Sequence, residues 1–279
     1  MKNKLLAMLA VAAIFLPGFC ARAADTNAVA AELKDLVAKI SASLQEGKRT
    51  EAEQADNLKA FDALLAKYKG ETNDAVANIA YMKATLYASI LQQPAKATEM
   101  LKQVESDFPN TATAQRAEQA IASIKQGEEA KKIQDALAAG SVFPDFDVKD
   151  LDGKPLAVAN FKGKIVMVDF WATWCGPCVQ EVPNVVAAYQ KYHDKGFEII
   201  GVSLDREGDK AKVISFTKDH NMPWQQFYDG KYWSNELAVK YGVRSIPATY
   251  LLDGSGNIIA KNVRGEALEP AVKKALGIN

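Results

Sequence analysis

Trp171-Ala172-Thr173-Trp174-Cys175-Gly176-Pro177-Cys178 lies at the junction between a predicted strand and a predicted helix. Residues 164–170 before it are apolar and β-branched, as in a buried strand, and residues 179–192 after it have a helical pattern. Cys175 therefore precedes the first helical turn. The N–H groups of that turn have no backbone acceptor, so they would stabilise a thiolate, the reactive form of cysteine. Cys178 follows one turn later, within disulfide distance, and the pattern predicts the making and breaking of disulfide bonds.

Two other interpretations of the cysteine pair remain open. A C-x-x-C pair can be half of a zinc site, but four ligands are normally needed and the rest of the predicted mature chain offers only His193 and His220. A purely structural disulfide is the other alternative, although so short a loop constrains the unfolded chain little. We therefore favour redox chemistry.

The N-terminus has the features of a secretory signal peptide over residues 1–23. Lys2 and Lys4 precede an apolar run over residues 5–16, and Ala21-Arg22-Ala23 is a small-residue cleavage site. Cleavage after Ala23 would remove Cys20, and the bulky Phe19 before that cysteine argues against lipidation. We expect a soluble, exported, periplasmic protein in which Cys175 and Cys178 are the only thiols.

Composition excludes one class of partner. The 279 residues contain 34 basic and 34 acidic side chains, so the chain has no basic excess. Nucleic-acid-binding domains normally carry one, and no nucleic-acid partner is predicted.

Residues 24–140 are predicted to form an α-helical domain, because apolar side chains recur at intervals of three and four. The pattern breaks at residues 92–94 and 109–111, where Thr111 is a candidate N-cap. Residues 73–126 resemble tetratricopeptide-type helical hairpins, and an unrelated helical bundle is the alternative. A last helix is expected over residues 127–139. No residue here suggests chemistry, so we expect a scaffold that binds a protein partner or self-associates.

Residues 141–279 are predicted to form an α/β domain with a central mixed sheet flanked by helices. An edge strand is expected at 142–148, and buried strands at 164–170, 197–204 and 248–253. A strand–helix–strand order predicts a right-handed crossover between parallel strands, and the turn at 253–257 predicts a hairpin to 258–260. Helices are expected at 210–220, 234–241 and 267–276, and a short strand at 225–228.

This second half resembles the thioredoxin superfamily and, within it, the exported TlpA/ResA-like branch. The resemblance rests on Asp169-Phe170-Trp171-x-x-Trp174-Cys175-Gly176-Pro177-Cys178, on Pro183, and on Ser245-Ile246-Pro247-Ala248-Thr249, where the family has a cis-proline opposite the disulfide. Glu181, three residues after the second cysteine, and the insertion around 208–226 are similar to the TlpA/ResA-like branch. The resemblance implies a thioredoxin-like fold.

The roles expected of the site residues combine chemistry with this resemblance. Cys175, the more exposed cysteine, would attack a substrate disulfide, and Cys178 would resolve the mixed disulfide. Cys178 must lose a proton in a poorly solvated place, so a carboxylate with a raised pKa would serve as base, and Asp169 and Glu181 are the candidates.

Substrate contacts are expected on both sides of the two cysteines. Trp171 and Trp174 are predicted to flank the cysteines as an apolar contact surface. Gly176 and Pro177 lie between the two cysteines and are also expected to contact the substrate. The resemblance implies that Ile246, before Pro247, offers backbone groups to a substrate strand.

The leading hypothesis is a periplasmic thiol-disulfide oxidoreductase that reduces protein disulfides through Cys175 and Cys178 and needs no other cofactor. The resemblance implies that a membrane protein supplies the electrons. It also makes cytochrome c maturation a candidate role, because members of this branch often take part in it. A disulfide oxidase or isomerase is the first alternative, and a helical adaptor with a thioredoxin-like docking domain is the second. A peroxidase is disfavoured, because Ala172 occupies the place of the threonine that such chemistry needs.

Overall fold

Helices make up the N-terminal unit of the protein, which we describe from a computed structural model covering residues 23–278. They are Ala23–Gln45 (α1), Ala55–Lys67 (α2), Asp74–Ser89 (α3), Pro94–Asp107 (α4) and Ala112–Ala136 (α5). The chain divides into two compact units, one ending at Gln126 and the other beginning at Gly127. The predicted signal peptide lies outside the described residues, except for the last position, Ala23.

The predicted apolar stripes form the core of the helical unit, and the predicted breaks are confirmed. The buried side chains include Val29, Leu33, Leu36, Ile40, Leu58, Phe61, Val76, Ile79, Met82 and Leu86. α3 ends at Ser89, and α4 starts with Pro94 at its first position, where a missing N–H costs nothing. Thr111 Oγ1 accepts a hydrogen bond from the Ala114 N–H at 3.1 Å, as expected of an N-cap.

A five-stranded mixed sheet is the centre of the second unit. The strands of this unit are Val148–Lys149 (β1), Pro155–Leu156 (β2), Ile165–Trp171 (β3), Phe197–Ser203 (β4), Gln226–Tyr228 (β5), Ala248–Leu252 (β6) and Ile258–Lys261 (β7). Its helices are Gly176–Tyr192 (α6), Lys210–Asp219 (α7), Glu236–Lys240 (α8) and Leu268–Ala275 (α9). The sheet order is β5-β4-β3-β6-β7, and β1 and β2 form a separate hairpin. The predicted α/β thioredoxin-like fold is confirmed.

β3 lies in the middle of the sheet, and every one of its residues is buried. It runs parallel to β4 and antiparallel to β6, so Asp169 is flanked by Gly201 on one side and Thr249 on the other. α6 begins a few residues beyond its end. This geometry places the two cysteines at the carboxyl end of the central strand.

The predicted edge strand at residues 142–148 is wrong. Val142 makes a single bridge to Asn257, and only Val148 belongs to a strand. Pro144 lacks a backbone donor, and the Asp145 carboxyl accepts hydrogen bonds from the N–H groups of Phe146 and Val158, both at 2.8 Å. These bonds to the Asp145 side chain replace the strand pairing that the alternating pattern suggested.

The predicted last helix over 127–139 is not a separate element. α5 continues through Gly127, because a single glycine costs a helix only about 1 kcal/mol. Its last turns belong to the second unit, where Ile133 packs on the core and the Gln134 amide donates to the Tyr250 hydroxyl at 2.5 Å. The division at Gln126 therefore precedes the expected boundary at residue 140.

Candidate active site

Cys175 and Cys178 are joined by a disulfide bond, with an S–S distance of 2.07 Å. Cys175 is the N-cap of α6, and its sulfur accepts a hydrogen bond from the Cys178 N–H at 3.2 Å. The helix terminus therefore directs a backbone donor at the sulfur that should become a thiolate. The expected difference in exposure is slight in this oxidised state, since Cys175 is 5% exposed and Cys178 is 3% exposed. Gly176 and Pro177 are exposed.

The segment 245–249 reaches the dithiol, as the resemblance implied. The Ile246–Pro247 peptide bond is cis. Pro247 is buried and lines the same small cavity as Cys178, and Ile246 is half-buried. The Arg264 guanidinium, from the loop after β7, donates a hydrogen bond to the Pro247 carbonyl. This loop therefore supports the proline segment.

Asp169 is buried within β3 and also lines the cavity. The pKa of its carboxyl is raised from 3.8 to about 7, mainly by burial and also by the negative charge of Glu181, whereas the Arg264 charge opposes the shift. A carboxyl whose pKa lies near neutrality can accept and return a proton at physiological pH. Its position and chemistry suit the proton acceptor that Cys178 requires.

Glu181 lies one turn after Cys178 and is half-buried. Its Oε1 accepts hydrogen bonds from the Gly265 N–H at 2.5 Å and from the Asn184 amide at 3.2 Å. Asp169, Cys178 and Glu181 all line a cavity of about 10 Å³, which is close to the smallest space that holds one water molecule. The structure therefore brings both candidate bases to the cavity beside Cys178.

The two tryptophans occupy different environments. Trp171 is 2% exposed and donates from Nε1 to Gln226 Oε1 at 3.0 Å, so it is a core residue rather than the contact surface expected of it. Trp174 is 38% exposed, and its Nε1 donates to the Leu204 carbonyl at 3.1 Å. Trp174 alone of the pair offers a solvent-accessible aromatic face.

Asp205 is a site residue that the sequence analysis missed. Its carboxyl is buried and accepts hydrogen bonds from the Thr173 N–H at 3.0 Å, the Thr173 hydroxyl at 2.5 Å and the Ser203 hydroxyl at 2.8 Å. It thereby fixes the loop that leads into Cys175. Asp205 follows β4 directly, and β4 runs parallel to β3, so the carboxyl ends of the two strands meet. That position was a signal that could have been used to predict that Asp205 lies near the cysteines. Arg264 had no such signal, because it lies far away in sequence, in a loop.

Neither a metal site nor a membrane span is found in the described part of the chain. Residues 23–278 contain no group of three or more His, Cys, Asp or Glu side chains arranged to hold a metal ion. No helix within that range combines the length and the apolar character needed to cross a bilayer.

The second unit is similar in sequence to known proteins. The AhpC/TSA family model matches residues 139–261. The thiol-disulfide oxidoreductase ResA of Bacillus thuringiensis subsp. konkukian is 34% identical over 143 residues, which cover 51% of this chain and 79% of ResA. The ResA of Bacillus subtilis is 29% identical over 139 residues, covering 50% of this chain and 74% of the relative.

A solved structure is also similar in this region. The thioredoxin domain of a thiol-disulfide oxidoreductase from Bacteroides vulgatus is 36% identical, with a TM-score of 0.46, and the match covers 50% of this chain and 99% of that domain. The extent and identity of the match to the Bacillus thuringiensis ResA, together with the dithiol geometry, settle the assignment. Through its C-terminal half, this chain belongs to the ResA-like thiol-disulfide oxidoreductases of the thioredoxin superfamily.

Proposed function

We propose that this protein is an exported reductant of protein disulfides in which Cys175 attacks the substrate and Cys178 completes the transfer. The observation that carries the proposal is the position of Cys175 as N-cap of α6, with the Cys178 N–H directed at its sulfur. That donor stabilises the thiolate in the reduced state and so favours attack on a disulfide.

In the first step the Cys175 thiolate attacks one sulfur of the substrate disulfide. A mixed disulfide forms between Cys175 and the substrate, and the second substrate sulfur leaves as a thiolate that takes a proton from solvent. The exposed Gly176 and Pro177 leave room for the approaching chain, and the half-buried Ile246 borders it with backbone groups. Trp174 supplies an apolar contact beside the nucleophile.

In the second step Cys178 attacks Cys175 and releases the reduced substrate. The Cys178 thiol loses its proton into the small cavity that Asp169 and Glu181 also line. Asp169 is the principal acceptor in this proposal, because burial holds its pKa at about 7. Two electrons have then passed from the dithiol to the substrate, and no cofactor beyond Cys175–Cys178 is required.

The location and partners extend the proposal. The sequence of residues 1–23 supports export to the periplasm, where a membrane electron donor would return the disulfide to the dithiol. Proteins of the cell envelope, including those of cytochrome c maturation, are the proposed substrates. The helical unit is proposed to bind a protein partner or a second copy of the chain.

The test is to trap the substrate covalently. A Cys178→Ser variant keeps the nucleophile but cannot resolve the mixed disulfide, so it should accumulate substrate adducts that a reducing agent releases. A Cys175→Ser variant is the matched control and should trap nothing. Equal recovery from both variants, or none from either, would contradict the proposal and favour an adaptor.

The direction of transfer is tested by the reduction potential. Equilibration of the dithiol with glutathione should give a value near −270 mV, as for reducing thioredoxins. A value near −120 mV, as for strong disulfide oxidants, would favour an oxidase instead.

A further inference from the structure

Three aromatic rings contact one another beside the nucleophile. The Trp174 ring lies 5.0 Å from that of Tyr232 and 5.9 Å from that of Trp233, and the Tyr232 and Trp233 rings are 5.8 Å apart between centroids. The exposed Arg206 guanidinium lies over the Tyr232 ring at 4.7 Å. Tyr232 and Trp233 are half-buried, and Trp174 is exposed. We call Trp174, Tyr232 and Trp233 the aromatic platform.

The platform is held in place by buried polar groups. Tyr232 adopts a left-handed backbone conformation, with a φ of 55°, which bulky residues rarely adopt. The turn that follows it is anchored by Asn235, which is fully buried and donates to the Ser203 carbonyl at 3.4 Å and to Asp229 Oδ1 at 2.9 Å. The bond from Trp174 Nε1 to the Leu204 carbonyl fixes the third ring. Preorganised rings lose little conformational entropy when a partner binds.

The geometry of a mixed disulfide indicates which part of a substrate would lie against these rings. A disulfide brings the two Cα atoms it joins to within about 6 Å, and successive residues of a chain are 3.8 Å apart. The residues next to a substrate cysteine bound to Cys175 must therefore pass close to Trp174, which precedes Cys175 in the chain. Through their ring contacts, Tyr232 and Trp233 continue that surface away from the sulfur.

We infer that the aromatic platform selects protein disulfides in which an aromatic or large aliphatic residue flanks the attacked cysteine. The inference rests on the proposed function, because it requires Cys175 to bond to a substrate chain. Tryptophan, tyrosine and arginine are the residues that most often dominate binding energy at protein interfaces. A large apolar side chain of the substrate would be removed from water by packing against these rings, which favours binding. A small polar side chain has little apolar surface to bury there, so it would add little binding free energy.

The test compares two peptide disulfides on the reduced full-length protein. The two peptides are identical except for the residue beside their cysteine, which is Trp in one and Ser in the other. The second-order rate constant should be about tenfold greater for the Trp peptide. In Tyr232→Ala and Trp233→Ala, the ratio of the two rate constants should fall to about two or less. A ratio does not depend on the fraction of folded protein, so partial misfolding cannot imitate the result.

Two variants serve as controls. Trp233→Phe keeps an aromatic ring and should keep most of the preference. Ile259→Ala removes an exposed apolar side chain from β7, the strand at the opposite edge of the sheet from β5. It should keep the full ratio.

Two results would overturn the inference. One is a wild-type ratio near one, and the other is a tenfold ratio that survives both alanine substitutions. Hydroxyethyl disulfide, which has no flanking side chain, separates a failure of the platform from a failure of the proposed function. If even this small disulfide is not reduced, the proposed function falls, and the inference falls with it.

Discussion

Asp169 is an ionisable side chain enclosed at the centre of the sheet, and its raised pKa couples the stability of the fold to pH. Below about pH 4 the carboxyl is protonated in both the folded and the unfolded state. Between about pH 4 and pH 7 the unfolded chain releases the proton and the folded chain keeps it, so the free energy of unfolding decreases as the pH rises. Once the pH is about one unit above the folded-state pKa of about 7, the loss is nearly complete and amounts to roughly 4 kcal/mol.

Asp169→Asn should therefore stabilise the oxidised protein at pH 8, by up to about 4 kcal/mol, because the amide has no charge to bury. The gain should shrink as the pH is lowered and should nearly vanish at pH 4. Calorimetric melting of both proteins across this range measures the difference. A gain that does not depend on pH would contradict the raised pKa. The same variant should slow the resolution of mixed disulfides, since the proton acceptor is lost.

Two neighbouring charges should move the Asp169 pKa in opposite directions. The Glu181 charge raises it and the Arg264 charge lowers it. Glu181→Gln should therefore shift the midpoint of the Asp169 titration to lower pH, and Arg264→Gln should shift it to higher pH. Carbon-detected NMR of the Asp169 carboxyl in the oxidised protein measures both midpoints, with the exposed Glu266→Gln as control. Shifts of the same sign in the two variants would show that lost packing, rather than charge, dominates.

The loop between β3 and α6 is held to the carboxyl end of β4 by hydrogen bonds from Thr173 to Asp205. Thr173→Val keeps the backbone donor and the side-chain shape but removes the hydroxyl donor to a buried carboxyl. It should lower the free energy of unfolding by about 1–3 kcal/mol. Reactivity of Cys175 in the reduced protein should also fall, because the loop that carries it loosens.

Thr217→Val is the matched control for Thr173→Val. Thr217 is buried and Thr173 is half-buried, and the Thr217 hydroxyl donates at 3.0 Å only to the Ile214 carbonyl of its own helix. Denaturant unfolding should show a smaller loss for this variant. Equal losses would mean that the bond from the Thr173 hydroxyl to Asp205 contributes no more than a bond from a threonine hydroxyl to its own helix.

The elements that could be predicted from the sequence are those whose own residues determine them. β3 and α6 follow from an apolar run and a helical pattern on either side of the cysteines, and α4 follows from Pro94. Residues 142–148 could not be predicted correctly, because the Asp145 carboxyl accepts a hydrogen bond from the Val158 N–H, 13 residues further along the chain. Arg264 and Tyr232 reach the site for the same kind of reason, since only the folded sheet brings their loops to it.

For the molecule as a whole, the last turns of α5 and the residue that follows them, Leu137, contribute more to the core of the second unit than the sequence pattern suggested. Leu137 is 3% exposed in the core of that unit, and Ile133 packs against the same core. The Gln134 amide donates to the Tyr241 carbonyl and the Tyr250 hydroxyl, both at 2.5 Å. These groups all precede residue 140, where the change in sequence pattern placed the boundary.

A fragment of residues 127–279 should therefore fold cooperatively, whereas a fragment of residues 141–279 should be less stable by about 3.5–5 kcal/mol. The estimate combines about 1.5–3 kcal/mol for burying Leu137 with about 1 kcal/mol for each Gln134 hydrogen bond. Urea unfolding of both fragments measures the difference. Leu137→Ala in the longer fragment should account for 2–5 kcal/mol by itself, because a buried leucine leaves a cavity when it is truncated. Equal midpoints for the two fragments would mean that the second unit begins after residue 140 and that the end of α5 only rests on its surface.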